Sequence, residues 1–358
     1  MRNAFSIPYL MGCIIYHMDV HTDIPLKNYT TMHIGGNARF MADVHTIEDL
    51  QKICKQSSAQ GLTHYILGGG SNTIVPDEGF AGIIIRNRIP GFEVVDDTPA
   101  EVSIKIGAGE NWDSVVERTV AMHLTGIECL SAIPGTSGAA PVQNIGAYGQ
   151  EISETLIAVE AYDTSEDRMV LLAPEDCKFS YRDSIFRSEA KGRYVITSIT
   201  LKLLHASPQA PFYAAVQEYF DTHGIDMYTS QTVRDAVIEI RREKLPDPVE
   251  RPNAGSFFKN AVIEEWQLQD LQKEYPDIPN YAMPNGKYKI PTGWFVEQAG
   301  FKGELLSGMR VHDKNALVLI NESATSYQDL AAARDKIIGT IRDTFHIMIE
   351  QEPIEMRV

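Results

Sequence analysis

Residues 131–152 read SAIPGTSGAAPVQNIGAYGQEI, and this run of small residues is the stretch that decides the fold. Glycines recur along it from Gly135 to Gly149. Because glycine has no Cβ, it adopts positive φ angles and lets neighbouring backbone N–H groups point together at an anion. The run therefore predicts a loop-built cradle for a phosphate-bearing ligand, although a single glycine turn after a strand is more often only a tight turn.

Three more glycine clusters precede this run: HIGGN at residues 33–37, GGGSN at 68–72 and GAGEN at 107–111. The second cluster fails the G-x-G-x-x-G pattern of dinucleotide-binding folds, since Thr73 stands where the third glycine belongs. It also lacks the G-K-[ST] of a nucleoside triphosphatase loop. Together the clusters favour a diphosphate-containing cofactor that is held by loops, with little help from charged side chains.

Length, charge and cysteine spacing restrict the number of domains and the class of protein. At 358 residues the chain exceeds what one hydrophobic core usually serves, so we expect two or three domains. The formal net charge of -16 argues against a general nucleic-acid-binding protein, which would carry a basic face. The cysteines show neither metal-ligand nor disulfide spacing, so we expect no metal site and a reducing, cytoplasmic location; they are Cys13, Cys54, Cys129 and Cys177.

Residues 1–18 form a predicted N-terminal extension. Their short apolar run ends in LMGC at residues 10–13, which superficially resembles a lipoprotein cleavage box. Pro8 interrupts the run and one basic residue precedes it, so it makes a poor signal peptide. An extension, or a start upstream of Met18, is the preferred interpretation. No other stretch approaches the apolar length that spans a bilayer, so we expect no membrane partner.

Strand-like and helix-like segments alternate, without the regularity of a doubly wound sheet. The patterns predict helices at residues 46–61, 112–123, 230–243 and 326–345. They predict strands at residues 64–67, 82–86, 102–106, 157–163, 168–172, 194–203 and 316–320, and one more near the end of the sequence. Prolines in LPDP at residues 245–248 stop the third helix and indicate a boundary between a cofactor region and a further domain.

With ILGGGSN at residues 66–72 and IGAGENW at 106–112, the run at 131–152 resembles the FAD domain of the UDP-N-acetylenolpyruvoylglucosamine reductases. The resemblance extends from about Asp19 to Val358 and is to the longer, first type of the family. It implies an α+β fold in three domains. Two would form a FAD-binding unit of the vanillyl-alcohol-oxidase and UDP-N-acetylmuramate dehydrogenase type, and the third would be an α+β substrate-binding domain.

The resemblance also implies boundaries and cofactor contacts. The implied units are residues 19–88 for FAD-binding subdomain 1, with the last strand as a candidate member, 89–242 for subdomain 2 and 243–358 for the substrate-binding domain. The residues that would hold FAD are Gly68, Gly69, Gly70, Ser71, Asn72, Gly135, Thr136, Ser137, Gly138, Gln143, Asn144, Gly146, Ala147 and Tyr148.

Residues 181–186, YRDSIF, place an arginine between an aromatic residue and a carboxylate. This could be only a turn tied by a local ion pair. A guanidinium is also the best fork for a carboxylate. In the family this motif supplies an active-site arginine, so the resemblance implies that Arg182 is catalytic and polarises the substrate carboxylate.

Residues 253–260, NAGSFFKN, are the most specific signal in the chain. No G-x-S-x-G elbow is present, so a hydrolase triad is unsupported. The resemblance makes Ser256 the general acid. Since a free hydroxyl is a feeble acid, neighbours must stabilise the alkoxide that is left, and Lys244, Lys259 and Asn260 are the candidates.

The family carries a catalytic glutamate in a Pro-Glu-Val-Arg-like motif, and EPIEMR at residues 352–357 departs from it. Ile354 is inserted and Met356 replaces valine. Alignment through Arg357 selects Glu355, which we expect to be catalytic. Glu352 is the alternative, although glutamates in such a position are usually solvated.

Supporting substrate contacts are weaker expectations, because each residue could equally be surface or packing. The resemblance implies Tyr213, Lys244, Asn260, Tyr281, Lys289 and Gln298. Basic residues also gather in this region of an acidic chain, as a diphosphate would require. They are Arg241, Arg242, Lys244, Arg251, Lys259, Lys287, Lys289 and Lys302.

The implied reaction is NADPH-dependent, FAD-mediated reduction of UDP-N-acetylglucosamine enolpyruvate to UDP-N-acetylmuramate, a step of peptidoglycan precursor synthesis for the cell wall. We expect small-molecule partners, a monomer, and no nucleic acid. Two rivals stay open: another flavoenzyme on the same fold, such as an alcohol or hydroxy-acid oxidase, and a non-enzymatic flavin- or UDP-sugar-binding module.

Overall fold

A computed structural model of the chain describes residues 20–357. The predicted extension at residues 1–18, with its LMGC box, lies outside the described residues. None of the helices within the described range combines the length and the apolar character that a membrane span requires.

The first layer is a sheet of mainly parallel strands. Its elements are β1 (Val20–Pro25), β2 (Asn37–Val44), α1 (Ile47–Ala59), β3 (His64–Leu67), β4 (Thr73–Ile74) and β5 (Phe80–Asn87). The sheet has the order β1-β2-β5-β3, with only β1 antiparallel to its neighbour. Helix α1 begins where the Thr46 side chain accepts a hydrogen bond from the Asp49 amide at 3.1 Å. Its Leu50 and Ile53 share a buried cluster with Ile85 of β5, which fixes α1 on one face of the sheet.

The second layer is built on an antiparallel sheet. The elements of this part are β6 (Phe92–Asp97), β7 (Glu101–Gly107), α2 (Trp112–Ala121), β8 (Gly146–Ala147), β9 (Gln150–Glu151), β10 (Leu156–Asp163), β11 (Arg168–Leu172) and β12 (Tyr194–Leu204), and the sheet has the order β11-β10-β12-β7-β6. The buried Trp112 donates its indole N–H to the Leu130 carbonyl at 3.0 Å. Because a buried indole N–H needs a partner, this bond fixes the start of the loop at residues 131–145 against α2.

Two helices follow, α3 (Ala214–His223) and α4 (Ser230–Lys244). They pack on each other through a cluster that includes Phe220 and Val237. Arg234 of α4 forms a two-pronged ion pair with Asp113 of α2, with N···O distances of 2.6 and 3.0 Å. Since the two parallel bonds fix orientation as well as distance, α4 is held in one orientation against α2.

The third part holds two more antiparallel sheets, with the orders β13-β19-β18-β17 and β14-β16-β15. Its elements are β13 (Asn253–Ser256), β14 (Ala261–Ile263), α5 (Glu265–Glu274), β15 (Tyr281–Ala282), β16 (Tyr288–Ile290), α6 (Thr292–Gln298), β17 (Leu305–Leu306), β18 (Met309–Val311), β19 (Val318–Asn321), α7 (Tyr327–Phe345) and β20 (Ile354–Glu355). The Ser326 side chain caps α7 by accepting from the Asp329 amide at 3.1 Å. Phe257, Phe295 and Ile337 are fully buried in the core of this part.

The third part returns to the first through a short parallel pairing. Strand β20 pairs with β4, with Ile354 opposite Thr73 and Glu355 opposite Ile74. Met32 and Ile74 of the first part are buried in the hydrophobic core of the third. The last described residues therefore pack against the first part of the fold.

The α+β fold is confirmed. The predicted helices and the strands before residue 205 are present within a few residues of their expected bounds. The strand predicted at residues 316–320 is present as β19 (Val318–Asn321), and the predicted last strand is only the two residues of β20. Sequence patterns do not indicate β1, β2, β6, α3 or the other short strands after residue 250. The boundaries at 88/89 and 242/243 stay a prediction.

Candidate active site

A cavity of about 590 Å³ lies where the end of β3, the loop at residues 133–145 and residues 186–196 meet. This volume is within the range of roughly 300–1,000 Å³ that is usual for small-molecule sites. Ile354 of β20 and Arg357, just after that strand, also contribute to its wall. Residues from all three parts of the sequence therefore enclose one space.

Two glycine-rich loops meet backbone to backbone at this wall. A Cβ added to Gly69 would lie 2.9 Å from the Cα of Gly135, and one on Gly68 would lie 2.7 Å from the Thr136 hydroxyl oxygen. The Ser71 hydroxyl donates to the Pro134 carbonyl at 2.9 Å and ties the loops together. Larger residues would push the loops apart, so the glycines are needed for close approach.

The backbone amides of residues 69–72 donate to no acceptor within residues 20–357. Amide donors without partners on a glycine loop, beside a cavity, are what an anionic phosphate group needs. The wall therefore fits the diphosphate of FAD on its own geometry, without a charged side chain in the loop at 68–72.

Most of the predicted FAD-binding residues lie on this wall: Gly68, Gly69, Gly70, Ser71, Asn72, Gly135, Thr136, Gly138 and Gln143. The others do not line the cavity: Ser137, Asn144, Gly146, Ala147 and Tyr148. The Asn144 amide instead donates to Glu151 at 2.7 Å, and the Gly146 carbonyl accepts from Arg182. Sequence spacing cannot separate the wall from the layer behind it, because both belong to one continuous loop.

Arg182 sits at the tip of a tight turn. The backbones of Ser180 and Asp183 exchange two hydrogen bonds of 3.1 Å, which leaves Arg182 with a φ of 56°. Its Nη2 donates to the Gly146 carbonyl at 2.7 Å, and its Nε lies 3.2 Å from Oε1 of Glu352. The local ion pair with Asp183 considered from the sequence does not form.

Glu352 is the carboxyl that meets Arg182. Its side chain is only 14% exposed, its backbone amide donates to the Phe257 carbonyl at 2.9 Å, and its carbonyl accepts from Arg187 at 2.7 Å. Burial raises the pKa of Glu352 above its ordinary value, although Arg182 and Arg187 oppose that rise. The structure therefore holds a carboxyl that keeps its proton more readily than a solvated one.

Glu355 lies in a different environment. It accepts from the Tyr327 hydroxyl and from Arg357, each at 2.8 Å, and forms an ion pair with Arg334. Burial alone would raise its pKa, but the bonds from Tyr327 and Arg357 hold the pKa of Glu355 below its ordinary value. The geometry brings Arg182 together with Glu352 rather than with the expected Glu355, which lies in the β20 pairing and contacts Tyr327, Arg334 and Arg357.

Ser256 ends β13, opposite Val318 of β19. The next residue, Phe257, is pinned on both sides: its amide donates to the Leu317 carbonyl at 2.7 Å, and its carbonyl accepts from the Glu352 amide. Gly255, with a φ of 70°, makes the bend that precedes Ser256. The backbone thus places Ser256 one residue from the point where Glu352 is held.

Several expected substrate residues meet around Tyr181. Nζ of Lys289 lies 5.3 Å from the centre of the Tyr181 ring and 5.9 Å from that of Tyr281. Asn260 hydrogen bonds to the Tyr181 hydroxyl. Burial, with Tyr281 as the second cause, raises the pKa of Tyr213, whose ring packs edge-on against Tyr148. These contacts gather four of the expected residues in one cleft beside Arg182.

Lys244 and Gln298 are exposed, and no contact within the described range ties them to this cleft. Three of the basic residues that the sequence grouped together are engaged in ion pairs instead. Lys259 pairs with Glu350, Lys287 with Glu264 and Lys302 with Glu297. The local excess of positive charge is therefore smaller than the sequence indicates.

Sequence reasoning missed Arg187 and gave Arg241 no individual role. Arg187 lines the cavity and reaches Glu352. Arg241 lies against the Tyr148 hydroxyl and near Arg182, and burial lowers its pKa. Neither arginine stands in a pattern that marks a site, so only three-dimensional proximity identifies them.

Within the described residues, Cys54, Cys129 and Cys177 are free and buried, and no group of side chains is arranged to hold a metal ion.

Family models match two stretches of the chain. The model of the UDP-N-acetylenolpyruvoylglucosamine reductase C-terminal domain matches residues 247–356, and that of a FAD binding domain matches residues 38–170. The first stretch contains Ser256 and Glu352, and the second contains both glycine-rich loops of the cavity.

Whole-chain relatives carry the same family name. The UDP-N-acetylenolpyruvoylglucosamine reductase of Ralstonia nicotianae is 40% identical over 333 residues, which are 92% of this chain and 97% of that protein. The one from Amoebophilus asiaticus is 37% identical over 94% of this chain and 98% of its own length. The crystal structure of the Thermus caldophilus UDP-N-acetylenolpyruvylglucosamine reductase (MurB) shares the fold, with a TM-score of 0.66 at 22% identity over 95% of this chain and 100% of that one. The chain therefore belongs to the UDP-N-acetylenolpyruvoylglucosamine reductase family.

Proposed function

We propose that this protein uses FAD and NADPH to reduce UDP-N-acetylglucosamine enolpyruvate to UDP-N-acetylmuramate, as its family membership implies. One observation carries the proposal beyond the family name. The Arg182–Glu352 pair is linked through Arg187 to the wall of a cavity that fits FAD, and the Glu352 amide is bonded to Phe257, the residue that follows Ser256.

The backbone amides of residues 69–72 would hold the FAD diphosphate, with the loop at residues 134–138 behind them. The chemistry that FAD would supply when bound is transfer of hydride from NADPH to the enolpyruvyl double bond. The protein contributes orientation and charge, because the cavity wall is built from backbone while the cleft is built from side chains.

Arg182 binds the substrate carboxylate. A guanidinium has five N–H donors, and its contacts to Gly146 and Glu352 leave others to face the ligand. Negative charge grows on that carboxylate as hydride adds to the double bond. Arg182, with Arg241 nearby, stabilises this charge.

The glutamate in this proposal is Glu352. A charged carboxylate facing the substrate carboxylate would repel it, whereas the raised pKa lets Glu352 carry a proton and donate a hydrogen bond. Glu355, held below its ordinary pKa by Tyr327 and Arg357, is ionised and serves to anchor β20.

Ser256 delivers the proton to the carbon that bears the carboxylate. Its hydroxyl has no partner within residues 20–357, so it is free to meet the substrate. The proton bound by Glu352 and the donors of Asn260 stabilise the oxygen that is left after transfer.

The UDP-sugar would bind in the cleft against the tyrosines at 181, 213 and 281 and against Lys289. Lys289 has no carboxylate within ion-pair distance in the part of the chain that the structure describes. A cation free of protein anions and flanked by aromatic rings suits a diphosphate beside a sugar or a base.

The same proposal covers the partners, the location, the oligomeric state and the bounds of the units. The protein acts on small molecules as a cytoplasmic monomer, and its net charge of -16 supports the absence of nucleic-acid partners. Its units run over residues 19–88, 89–242 and 243–358, with β20 added to the first.

The proposal is tested by the visible absorbance of the bound flavin. The purified protein should be yellow, bleach with NADPH under anaerobic conditions and recover on addition of the enolpyruvyl sugar. If a hydroxy acid bleaches the flavin while NADPH leaves it unchanged, the protein is an oxidase and the proposal fails.

A further inference from the structure

Arg187 is a half-buried cation that touches two sites at once. Nη1 donates to Oε1 of Gln143 at 3.3 Å, and Nη2 donates to the main-chain carbonyl of Glu352 at 2.7 Å. Gln143 and Arg187 both line the cavity that fits FAD. One guanidinium therefore spans the distance from the cofactor wall to the glutamate that faces Arg182.

The link continues along the wall. The Asn72 side-chain amide donates to the same Oε1 of Gln143, and the Asn72 carbonyl accepts from the Ile354 amide at 2.9 Å. The segment at residues 352–354 is thus tied to the FAD wall twice, by Arg187 at one end and by Asn72 at the other. A displacement of this wall is passed to the Glu352 main chain, because each connection is a direct hydrogen bond.

Arg187 also carries a positive charge that no ion pair within the described residues balances. No carboxylate lies within ion-pair distance of it in residues 20–357, and burying an unpaired cation is costly. The charged and titratable groups that face the Glu352 carboxyl are Arg182, Arg187, Lys259 and Tyr181, so Arg187 acts on that carboxyl through charge as well as through the main chain.

We propose that Arg187 is a positioning residue that ties the main chain of Glu352 to the wall of the FAD cavity, so that a filled cavity holds the Glu352 carboxyl against Arg182. This inference rests on the proposed function for the role of Glu352. It goes further by connecting cofactor occupancy to the geometry of the proton-bearing group.

The first experiment separates the two half-reactions of the holoenzyme in anaerobic stopped flow. Arg187→Gln should slow reoxidation by the enolpyruvyl sugar about ten- to a hundredfold, while reduction by NADPH changes by no more than about twofold, because the displaced group acts only on the second step. Arg187→Lys keeps a cation that can donate to the Glu352 carbonyl and should recover most of the lost rate. The matched control is Lys178→Gln, which removes a cation from an exposed ion pair in the same segment and should change neither half-reaction.

The second experiment needs no substrate. Hydrogen exchange of the amides of Glu352, Ile354 and Met356 is followed in apoprotein before and after FAD is added. These amides donate to Phe257, Asn72 and Ile74, so FAD should slow their exchange in the wild type. In Arg187→Gln the added protection at Glu352 should be lost even at FAD concentrations that saturate the variant.

Equal slowing of both half-reactions, an Arg187→Lys variant no faster than Arg187→Gln, or unchanged FAD-dependent protection at Glu352 would each overturn the inference. If Arg187→Gln does not fold, Gln143→Leu breaks the other end of the link and should lose the same protection. Failure of the wild type to react with the enolpyruvyl sugar would instead remove the proposed function, and the exchange experiment would still decide whether the link exists.

Discussion

The cofactor wall and the substrate cleft are adjacent, yet they are built in opposite ways. The wall is mostly backbone: glycines at 68, 69 and 135 bring two loops within van der Waals contact, and the amides of residues 69–72 have no acceptor within residues 20–357. The cleft is made of ionisable side chains, with Arg182, Glu352, Arg241 and Lys289 supplied from distant parts of the sequence.

This difference predicts which substitutions harm each region. A backbone wall depends on the absence of side chains, so added atoms harm it through sterics and lower cofactor affinity. A side-chain cleft depends on specific atoms, so removing one group lowers the rate of one step and leaves the rest of the site in place.

The largest effect is expected in the cleft. Ser256→Ala should lower reoxidation of the reduced flavin by the enolpyruvyl sugar by about 10²–10⁴-fold, because it removes the general acid, while bleaching by NADPH is kept. Stopped-flow absorbance of the flavin measures both steps. Full turnover by this variant would show that the proton comes from elsewhere.

The next prediction distinguishes the roles of Glu352 and Glu355. Glu352→Gln should slow the same step by about a hundredfold, since it removes the carboxyl proton that stabilises the Ser256 oxygen after proton transfer. In the wild type the step should slow as pH rises through the raised pKa of Glu352, because the carboxyl loses its proton, and the variant should lack this dependence. The assignment is reversed if Glu355→Gln gives the larger rate loss and removes the pH limb.

The wall should respond to an added methyl group. In Gly69→Ala the new Cβ lies 2.9 Å from Gly135 Cα, and overpacking of this kind costs about 1–3 kcal/mol. We expect weaker FAD binding, by about ten- to a hundredfold, in a fluorescence titration of apoprotein. Gly339→Ala in α7 is the control, since no heavy atom lies within 4 Å of its Cβ, and it should leave FAD affinity unchanged.

The smallest effect is expected at His312. Its Nδ1 accepts from the amides of Lys314 and Asn315 at 2.9 and 3.1 Å, and burial lowers the pKa of His312. Below the unfolded-state pKa of 6.5 the unfolded chain binds the proton more readily, so stability falls as pH falls. We expect a slightly lower urea midpoint of unfolding at pH 5 than at pH 7, and a smaller difference between the two in His312→Asn. If the midpoint changes equally with pH in both proteins, His312 is not the cause.

The wall can be predicted from sequence because its determinants are local. Each glycine cluster follows a strand and requires only knowledge of what a missing Cβ permits, so residues 68–72 and 134–138 stand out from the order of amino acids alone. The long helices are equally local, since Thr46 and Ser326 mark their starts by capping. Short strands such as β14 and β17 carry too few residues for a period to be visible.

The cleft cannot be predicted to the same depth. Whether Glu352 or Glu355 meets Arg182 depends on the β20 register, which pairing with β4 sets, and a one-residue change reverses which side chain faces inward. Arg187 and Arg241 cannot be singled out from the sequence either, because Glu352 is 165 residues from Arg187 and Tyr148 is 93 residues from Arg241.

The pairing of β20 with β4 also sets an order of events during synthesis. Asn72 leaves the ribosome about 280 residues before Ile354, which at roughly 5–20 residues per second is a delay of about a quarter of a minute to a minute. During that interval the nascent glycine loops lack the strand that completes them. Stable capture of flavin is therefore expected to be a late event, and an early stop or frameshift in the final codons would yield a colourless product rather than a merely slow one.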